Sequence, residues 1–174
     1  MKPALLIPFL LLAAPTWAEQ QCDTTLYPLS APSERFADNG DGTVSDNETG
    51  LMWMRCSAGQ QWAAGRCNGE ATEHSWDSSK TVTDDVNRGG SFFFNDWRVP
   101  RLPELATIAE RQCKDPRINL DVFPDTPPSI YWTTSKRPGA GNKRFAYAMD
   151  FGAQGVLRLP TEQRHLVRLV RTGP

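Results

Sequence analysis

The stretch "RFADNGDGTVSDNETGLMWMR" (residues 35–55) carries the strongest structural signal in the chain. Asn39-Gly40 and Asp41-Gly42 are typical of tight turns, because asparagine, aspartate and glycine tolerate positive φ angles. Residues 47–50 give a further turn signal, and the apolar run Leu51–Met54 is a candidate buried strand. The stretch therefore predicts short strands joined by turns.

The same stretch has the spacing of a calcium-binding loop, for which the pattern is D-x-[DN]-x-[DN]-G-x5-E. With Gly42 at the invariant glycine, four residues supply ligand oxygens: Asn39, Asp41, Ser45 and Glu48. Ala37 stands where the first aspartate should be, and neither flank has a helical pattern. Turn chemistry accounts for the glycines without an ion. We favour the turns and keep a weak calcium site as the alternative.

Residues 1–18 have the pattern of a secretory signal peptide. Lys2 gives a positive start, residues 4–14 are an apolar run too short to span a bilayer, and Ala18 ends a small-residue cleavage pattern. We expect an exported mature chain, in a periplasm or outside the cell, with no membrane span after cleavage. We divide it into an N-terminal arm (residues 19–33) and one domain (residues 34–174).

Four cysteines follow the signal peptide, and an even count in an exported chain predicts two disulfides. Four cysteines allow three connectivities. We favour a local Cys56–Cys67 bridge, with Cys22–Cys113 joining the arm to the end of the second predicted helix. Metal binding by the cysteines is the weaker alternative, since no C-x2-C spacing occurs.

The pattern of turns and apolar runs predicts an α+β fold of short antiparallel strands with two helices. One helix is expected after Ser75, running to Arg88, and the other from Leu102 to Gln112. Residues 56–69 are expected to be an irregular loop between cysteines. Further strand signals lie at residues 130–134, 145–151, 156–159 and 166–170.

Several motifs occur in a characteristic order: residues 35–56, "NDWRVPRLPEL", "INLDVFP", "YWTTS" and "LVRLVR". Together they resemble the Lcl C-terminal domain family, the C-terminal domain of the Legionella collagen-like adhesin, over residues 34–171. The resemblance implies an exported bacterial domain, related to C-type-lectin-like folds. It also implies adhesin-like binding of sulfated glycosaminoglycans, although most members carry no assigned activity. The family often has threonine at position 101, where Arg101 cannot form the threonine half of a capping box with Glu104.

The best candidate for polyanion binding is a basic loop near residue 140, in the positively charged second half of the chain. Its cations are Lys136, Arg137, Lys143 and Arg144, followed by Arg158. Sulfate and phosphate groups pair well with such side chains. Trp62 is the tryptophan we expect to be exposed and available for stacking on sugar rings. The competing interpretation is a solvated hairpin tip.

The remaining motif residues are interpreted as structural. Trp53, Asp96, Trp97, Arg98 and Pro100 form this set. We expect Trp97 to be buried and Arg98 to brace a carboxylate or carbonyl. Arg168 and Arg171 alternate with apolar residues, which predicts a half-exposed strand.

Catalytic motifs are absent from the sequence, and its two histidines are isolated. We therefore expect a non-enzymatic binding module for an extracellular glycan or a surface protein, with no cofactor other than the calcium alternative. The competing hypotheses are a structural envelope component acting through protein contacts and, least favoured, a carboxylate-dependent hydrolase. We expect no nucleic acid partner, and the pattern carries no signal for an oligomeric state.

Overall fold

The computed structural model describes residues 20–89, 94–137 and 144–173, with only the backbone described at Arg137. This part of the chain contains the helices α1 (Ser79–Arg88) and α2 (Leu102–Thr107). Its strands are β1 (Gln21–Cys22), β2 (Phe36–Asp38), β3 (Thr43–Asp46), β4 (Leu51–Met54), β5 (Gln61–Ala63), β6 (Arg66–Asn68), β7 (Cys113–Lys114), β8 (Ile130–Arg137), β9 (Phe145–Asp150), β10 (Gly155–Pro160) and β11 (Val170–Thr172). The α+β prediction is confirmed, whereas the lectin-like architecture stays a prediction.

A four-stranded sheet, in the order β11-β4-β3-β2, is the centre of the fold. Every pairing in it is antiparallel. Trp53 of β4 is opposite Val44 of β3 on one side and Val170 of β11 on the other, and all three are buried. The strand predicted at Leu51–Met54 is confirmed, and its burial follows from having a partner on both edges.

The opening stretch folds as the turn interpretation predicts. β2 and β3 form a hairpin, and β3 and β4 form the next one. Gly40, Gly42 and Gly50 have φ angles of 79°, 92° and 66°, which side chains with a Cβ adopt only with strain. The flanks of the loop are strands, so the helix–loop–helix frame of the calcium pattern is not present.

A second antiparallel sheet, in the order β10-β9-β8, lies against the same core. β9 and β10 form a hairpin with a turn at residues 151–154. The pairing of β8 with β9 shifts register between Trp132 and Lys136. One apolar cluster joins the two sheets and α2, and it includes Trp53, Leu105 and Tyr131.

The structure contains two disulfides, Cys22–Cys113 and Cys56–Cys67. Both pairings are those favoured from the sequence. The first joins β1 to β7, whose residues pair antiparallel. The second lies at the β5–β6 hairpin, where Trp62 is opposite Cys67. The expectation of an irregular loop at residues 56–69 was therefore wrong, because this segment contains paired strands.

Both helices are shorter than predicted. α1 begins at Ser79, three residues later than a helix capped by Ser75 would begin, although the Ser75 hydroxyl accepts the Ser78 N–H at 3.2 Å, as a capping residue does. α2 ends at Thr107 because the next residues are recruited by other segments. Ala109 forms a β-bridge with Ile118, and the Glu110 carboxylate accepts bonds from the arm. Tertiary pairing thus overrides the helical pattern.

Arg168 corrects the prediction of a half-exposed strand at residues 166–170. Its side chain is fully buried, and β11 begins only at Val170. The guanidinium donates to the carbonyl oxygens of Met54 (2.9 Å) and Arg55, and to the Thr126 hydroxyl at 2.7 Å. A buried cation is therefore satisfied here mainly by backbone dipoles rather than by a carboxylate.

Within the described residues, no helix has the length and apolar character needed to cross a membrane. The predicted signal peptide, residues 1–18, lies outside the described residues.

Candidate functional site

Trp76, at the turn before α1, forms the floor of the candidate site. The ring is 4% exposed, and its Nε1–H donates to the Thr133 carbonyl oxygen of β8 at 2.7 Å. Two ammonium groups lie over this ring: Lys80 Nζ at 4.0 Å and Lys136 Nζ at 4.6 Å from the centroid. The negative face of the indole attracts both cations and so holds two like charges near each other.

Asp77 holds a third cation, Arg144, next to the two lysines. Its carboxylate lies 2.9 Å from Arg144 and 3.7 Å from Lys80. Each of these three side chains is about half exposed or more, so the charges face solvent. We call the set Trp76, Asp77, Lys80, Lys136 and Arg144 the Trp76 surface. Its cations outnumber its single carboxylate, which leaves an excess of positive charge.

A cleft of about 600 Å³ adjoins the Trp76 surface. It is lined by Ser75, Asp77, Arg144, Phe145, Pro160, Thr161 and Glu162. Backbone bonds fix its walls: Trp76 N–H donates to Thr161 O at 3.0 Å, and Thr161 N–H donates to Arg144 O at 3.2 Å. The volume lies within the usual range for small-ligand sites.

Only part of the predicted basic set is brought together. Lys136 and Arg144 belong to the Trp76 surface. Along β9, Lys136 is opposite Ala146 and Arg158 is opposite the next residue, Tyr147. Because successive side chains of a strand point to opposite faces of the sheet, Arg158 lies on the face away from Lys136. There it packs over the Phe145 ring at 4.1 Å.

The two other members of the predicted basic set cannot be placed at this surface. Lys143 lies outside the described residues. For Arg137 only the backbone, at the end of β8, is described.

Lys80 is the cation that sequence reasoning missed. It lies on α1, far along the chain from the basic loop, and nothing in its local sequence indicates that β8 will pack beside it. The run Trp76-Asp77-x-x-Lys80 gave only a weak signal, the i,i+3 spacing of Asp77 and Lys80.

Trp62 is the least buried of the five tryptophans in the described chain, being half-buried where the others are buried. It packs on the opening hairpin rather than on the Trp76 surface. The Arg55 guanidinium lies 4.3 Å from its ring centroid and is itself held by Asp38 at 2.8 Å. Trp62 and the basic residues therefore contact different parts of the molecule.

The four predicted calcium ligands are engaged within the hairpin or with its neighbours. Asn39 donates to Thr43 and Ser45, and Asp41 accepts from the backbone and hydroxyl of Thr43. Glu48 forms an ion pair with Arg35 at 3.0 Å. Within residues 20–89, 94–137 and 144–173 there is no group of three or more His, Cys, Asp or Glu residues that could hold a metal.

The "DWRVP" motif forms a corner between α2, β8 and β11. Trp97 is buried, and Arg98 donates two bonds to Glu104, at 2.7 and 2.9 Å. Asp96 pairs with Arg171 at 2.7 Å, and the carbonyl of Pro100 accepts the backbone N–H of Thr134. The motif positions elements, and Trp53 lies in the core beneath it.

The start of α2 shows how the chain replaces the missing threonine cap. The Glu104 carboxylate accepts the Arg101 backbone N–H at 2.7 Å, and Ser135 of β8 accepts the Leu102 N–H at 3.0 Å. Burial opposes ionisation of Glu104, but bonds from Arg98 and Arg101 outweigh it and lower its pKa to about 2. Ser135 thus satisfies a different N–H of the first turn, since a capping threonine would accept the N–H of residue 104.

The described carboxyl groups show no sign of a general acid. Those with a clear pKa shift are all shifted downward: Asp23, Asp46, Asp96, Glu104, Glu110 and Asp125. A glycosidase-type acid requires the opposite direction. Asp84 and Asp85 are exposed on α1, and Asp85 pairs with Arg88.

Comparison with known proteins agrees with the motifs. A family model described as the Lcl C-terminal domain matches residues 42–171. No curated protein matches the chain.

Proposed function

Because the chain belongs to the Lcl C-terminal domain family, we propose that it is an exported, non-enzymatic binding module that recognises an anionic extracellular glycan through the Trp76 surface. The family is adhesin-associated, which supports external binding. The two disulfides support an oxidising location, since such bonds persist mainly in exported proteins.

The convergence of Lys80, Lys136 and Arg144 beside a cleft is the observation that carries this proposal. These cations come from α1, from β8 and from the residue just before β9. The fold places the two lysine ammonium groups over one buried ring, and Asp77 holds Arg144 beside them. Sulfate or carboxylate groups of a glycan would replace Asp77 as partner of Arg144 and bind the two ammonium groups.

The test is binding of the full mature chain to sulfated and unsulfated glycans across a salt series. We expect binding to sulfated chains that weakens steeply with salt. The triple variant Lys80→Ala, Lys136→Ala, Arg144→Ala should bind at least tenfold more weakly. Arg88→Ala, Arg111→Ala, Lys114→Ala removes the same charge from other surfaces and should retain most of the affinity.

Equal losses in the two triple variants would contradict a localised site, since they would show attraction by net charge alone. Absence of glycan binding at any salt concentration would contradict the glycan proposal itself. The function would then have to be sought in contacts with envelope proteins.

A further inference from the structure

Residues 23–29 form a loop. Both ends of this loop are bonded to the same short segment of the chain, residues 109–113. At one end, Cys22 is bonded to Cys113 and the Asp23 N–H donates to the Gln112 carbonyl oxygen at 2.8 Å. At the other end, Ser30 N–H donates to the Glu110 carboxylate at 2.9 Å. We call this segment the arm loop. Its ends are fixed although its middle is exposed.

The arm loop exposes two large apolar side chains. Leu26 is 83% exposed and Tyr27 is 67% exposed, and among the described residues only Val156 is also a large hydrophobic residue exposed to a comparable degree. Single exposed apolar residues are common, but an adjacent pair on an anchored loop is the kind of feature found at contact sites.

A basic cleft lies at the base of the arm loop. Its volume is about 540 Å³, and its charged lining residues are Asp23, Arg111, Lys114, Asp115 and Arg117. Three cations line the cleft, Arg111, Lys114 and Arg117, against two carboxylates, Asp23 and Asp115. The cleft therefore has an excess of positive charge.

Arg111, Lys114 and Arg117 differ from most basic residues of this protein. Arg35, Arg55, Arg66, Lys80, Arg88, Arg98, Arg101, Arg144 and Arg171 each have a carboxylate partner. None of the ion pairs in the described part of the chain involves the three cations of the cleft. Arg111 and Lys114 are also exposed, so their charges are available to a partner.

We propose that the arm loop and the basic cleft together dock an acidic, partly apolar segment of a partner protein. Carboxylates of that segment would pair with Arg111, Lys114 and Arg117, and its apolar side chains would cover Leu26 and Tyr27. Charge complementarity indicates the acidic character. The exposed leucine and tyrosine indicate a polypeptide, because a sulfated glycan or an inorganic anion offers little apolar surface to them.

This surface is separate from the Trp76 surface, so the proposal stands or falls independently of glycan binding. The probe is a fluorescein-labelled synthetic nonapeptide that alternates glutamate with leucine and phenylalanine, and binding is followed by fluorescence anisotropy. We expect binding by the full mature chain. Arg111→Ala, Lys114→Ala and, separately, Leu26→Ser, Tyr27→Ser should each weaken it about tenfold or more.

Two control variants match the charge and the apolar changes. Arg88→Ala, Arg158→Ala removes two cations from other surfaces, and Val156→Ser removes the other exposed apolar side chain. Both should bind the peptide as the unmodified chain does. All of the substituted side chains are exposed, so the variants should fold.

Three results would overturn the proposal. A peptide with serine in place of leucine and phenylalanine could bind equally well, which would show attraction by charge alone. Peptide affinity could be unchanged in both arm and cleft variants. Sedimentation could show that the unmodified chain forms dimers and that Leu26→Ser, Tyr27→Ser dissociates them. The surface would then bind a second copy of the chain, through the excess of acidic residues between positions 34 and 100.

Discussion

Gly42 combines two requirements at one position of the opening hairpin. Its φ angle of 92° lies in the region that favours glycine, and a Cβ placed there would be 2.6 Å from the Cγ atom of Trp62. The glycine therefore allows the turn and also leaves room for the indole that packs over Arg55. The sequence predicts the first requirement, but the second depends on β5, which no local pattern places beside the turn.

Substitution of Gly42 by alanine should destabilise the protein by about 3 kcal/mol, because strain at positive φ adds to the clash with Trp62. Gly40→Ala is the matched control: its φ is 79°, and a Cβ at that position would have no neighbour within 4 Å. That variant should lose only about 1 kcal/mol. Urea denaturation measures both. Equal losses would show that Trp62 moves aside at no cost.

Arg168 shows a limit of pattern reading at the scale of one residue. Alternation of arginine with apolar residues predicted half-exposure, yet the neighbours at residues 166–170 are all buried. Residues 166–169 are a buried segment outside any strand, so strand alternation does not apply to them. Burial lowers the pKa of the Arg168 guanidinium, whose ordinary value is high enough for it to stay charged.

Replacement of Arg168 by lysine should cost about 3 kcal/mol of stability, since one ammonium group cannot reproduce the planar fork that reaches two carbonyls and a hydroxyl. Arg164→Lys serves as the control, because Arg164 is exposed and donates to a single carbonyl, that of Glu73. It should change stability by less than about 0.5 kcal/mol. Thermal or urea unfolding of the two variants decides the matter.

At the scale of secondary-structure elements, α2 depends on Glu104 more than on its own length. The helix has six residues, and its first turn is held by Arg98, Arg101 and Ser135. Glu104 has a folded-state pKa of about 2 and an ordinary value of 4.5. Its stabilising contribution is therefore present above pH 4.5 and is lost as the pH falls toward 2.

Glu104→Gln should lower stability by about 2 kcal/mol at neutral pH, because the amide cannot replace a carboxylate between two guanidinium groups. The difference from the unmodified protein should shrink as the pH falls from 4.5 toward 2, where the carboxylate itself becomes protonated. Glu34→Gln, at an exposed position, should show no such convergence. Unfolding free energies measured from about pH 7 to about pH 2 provide the test, and a pH-independent difference would contradict it.

The opening hairpin supplies an element-scale prediction about calcium. Because Asn39, Asp41 and Ser45 bond within the hairpin and Glu48 pairs with Arg35, we expect no structural role for the ion. The midpoint of thermal unfolding should be the same in chelator and in millimolar calcium. An upward shift of several degrees with calcium, removed by Asp41→Asn, would restore the calcium alternative.

Elements were predictable where local chemistry decides them. The turns at Gly40, Gly42 and Gly50 and the strand Leu51–Met54 follow from short-range rules. The end of α1 at Arg88 and the start of α2 at Leu102 were predicted, whereas the start of α1 at Ser79 was not. The end of α2 was not predictable either, because Glu110 bonds to the arm instead of extending the helix. The candidate site was half predictable for the same reason: Lys136 and Arg144 are close in sequence, whereas Lys80 joins them only through the fold.

At the scale of the whole molecule, the Cys22–Cys113 disulfide closes a loop with a sequence separation of 91, against 11 for Cys56–Cys67. Closing a longer loop removes more entropy from the unfolded chain. Cys22→Ser, Cys113→Ser should therefore cost about 4 kcal/mol, and Cys56→Ser, Cys67→Ser about 3 kcal/mol. Denaturant unfolding of the two double variants compares them, and the reverse order would show that the arm contributes little to the fold.

The pairing of β11 with β4 has a consequence for how the protein is made. β11 completes the sheet that β2, β3 and β4 begin, and Arg168, just before β11, donates to Met54 across a separation of 114 residues. While a ribosome is still synthesising the chain, β4 has one unpaired edge, and that edge belongs to the most apolar strand of the opening stretch. An unpaired edge of this kind is a template for aggregation. Export before folding, with a chaperone shielding residues 51–54 until the last strand arrives, would keep that edge covered.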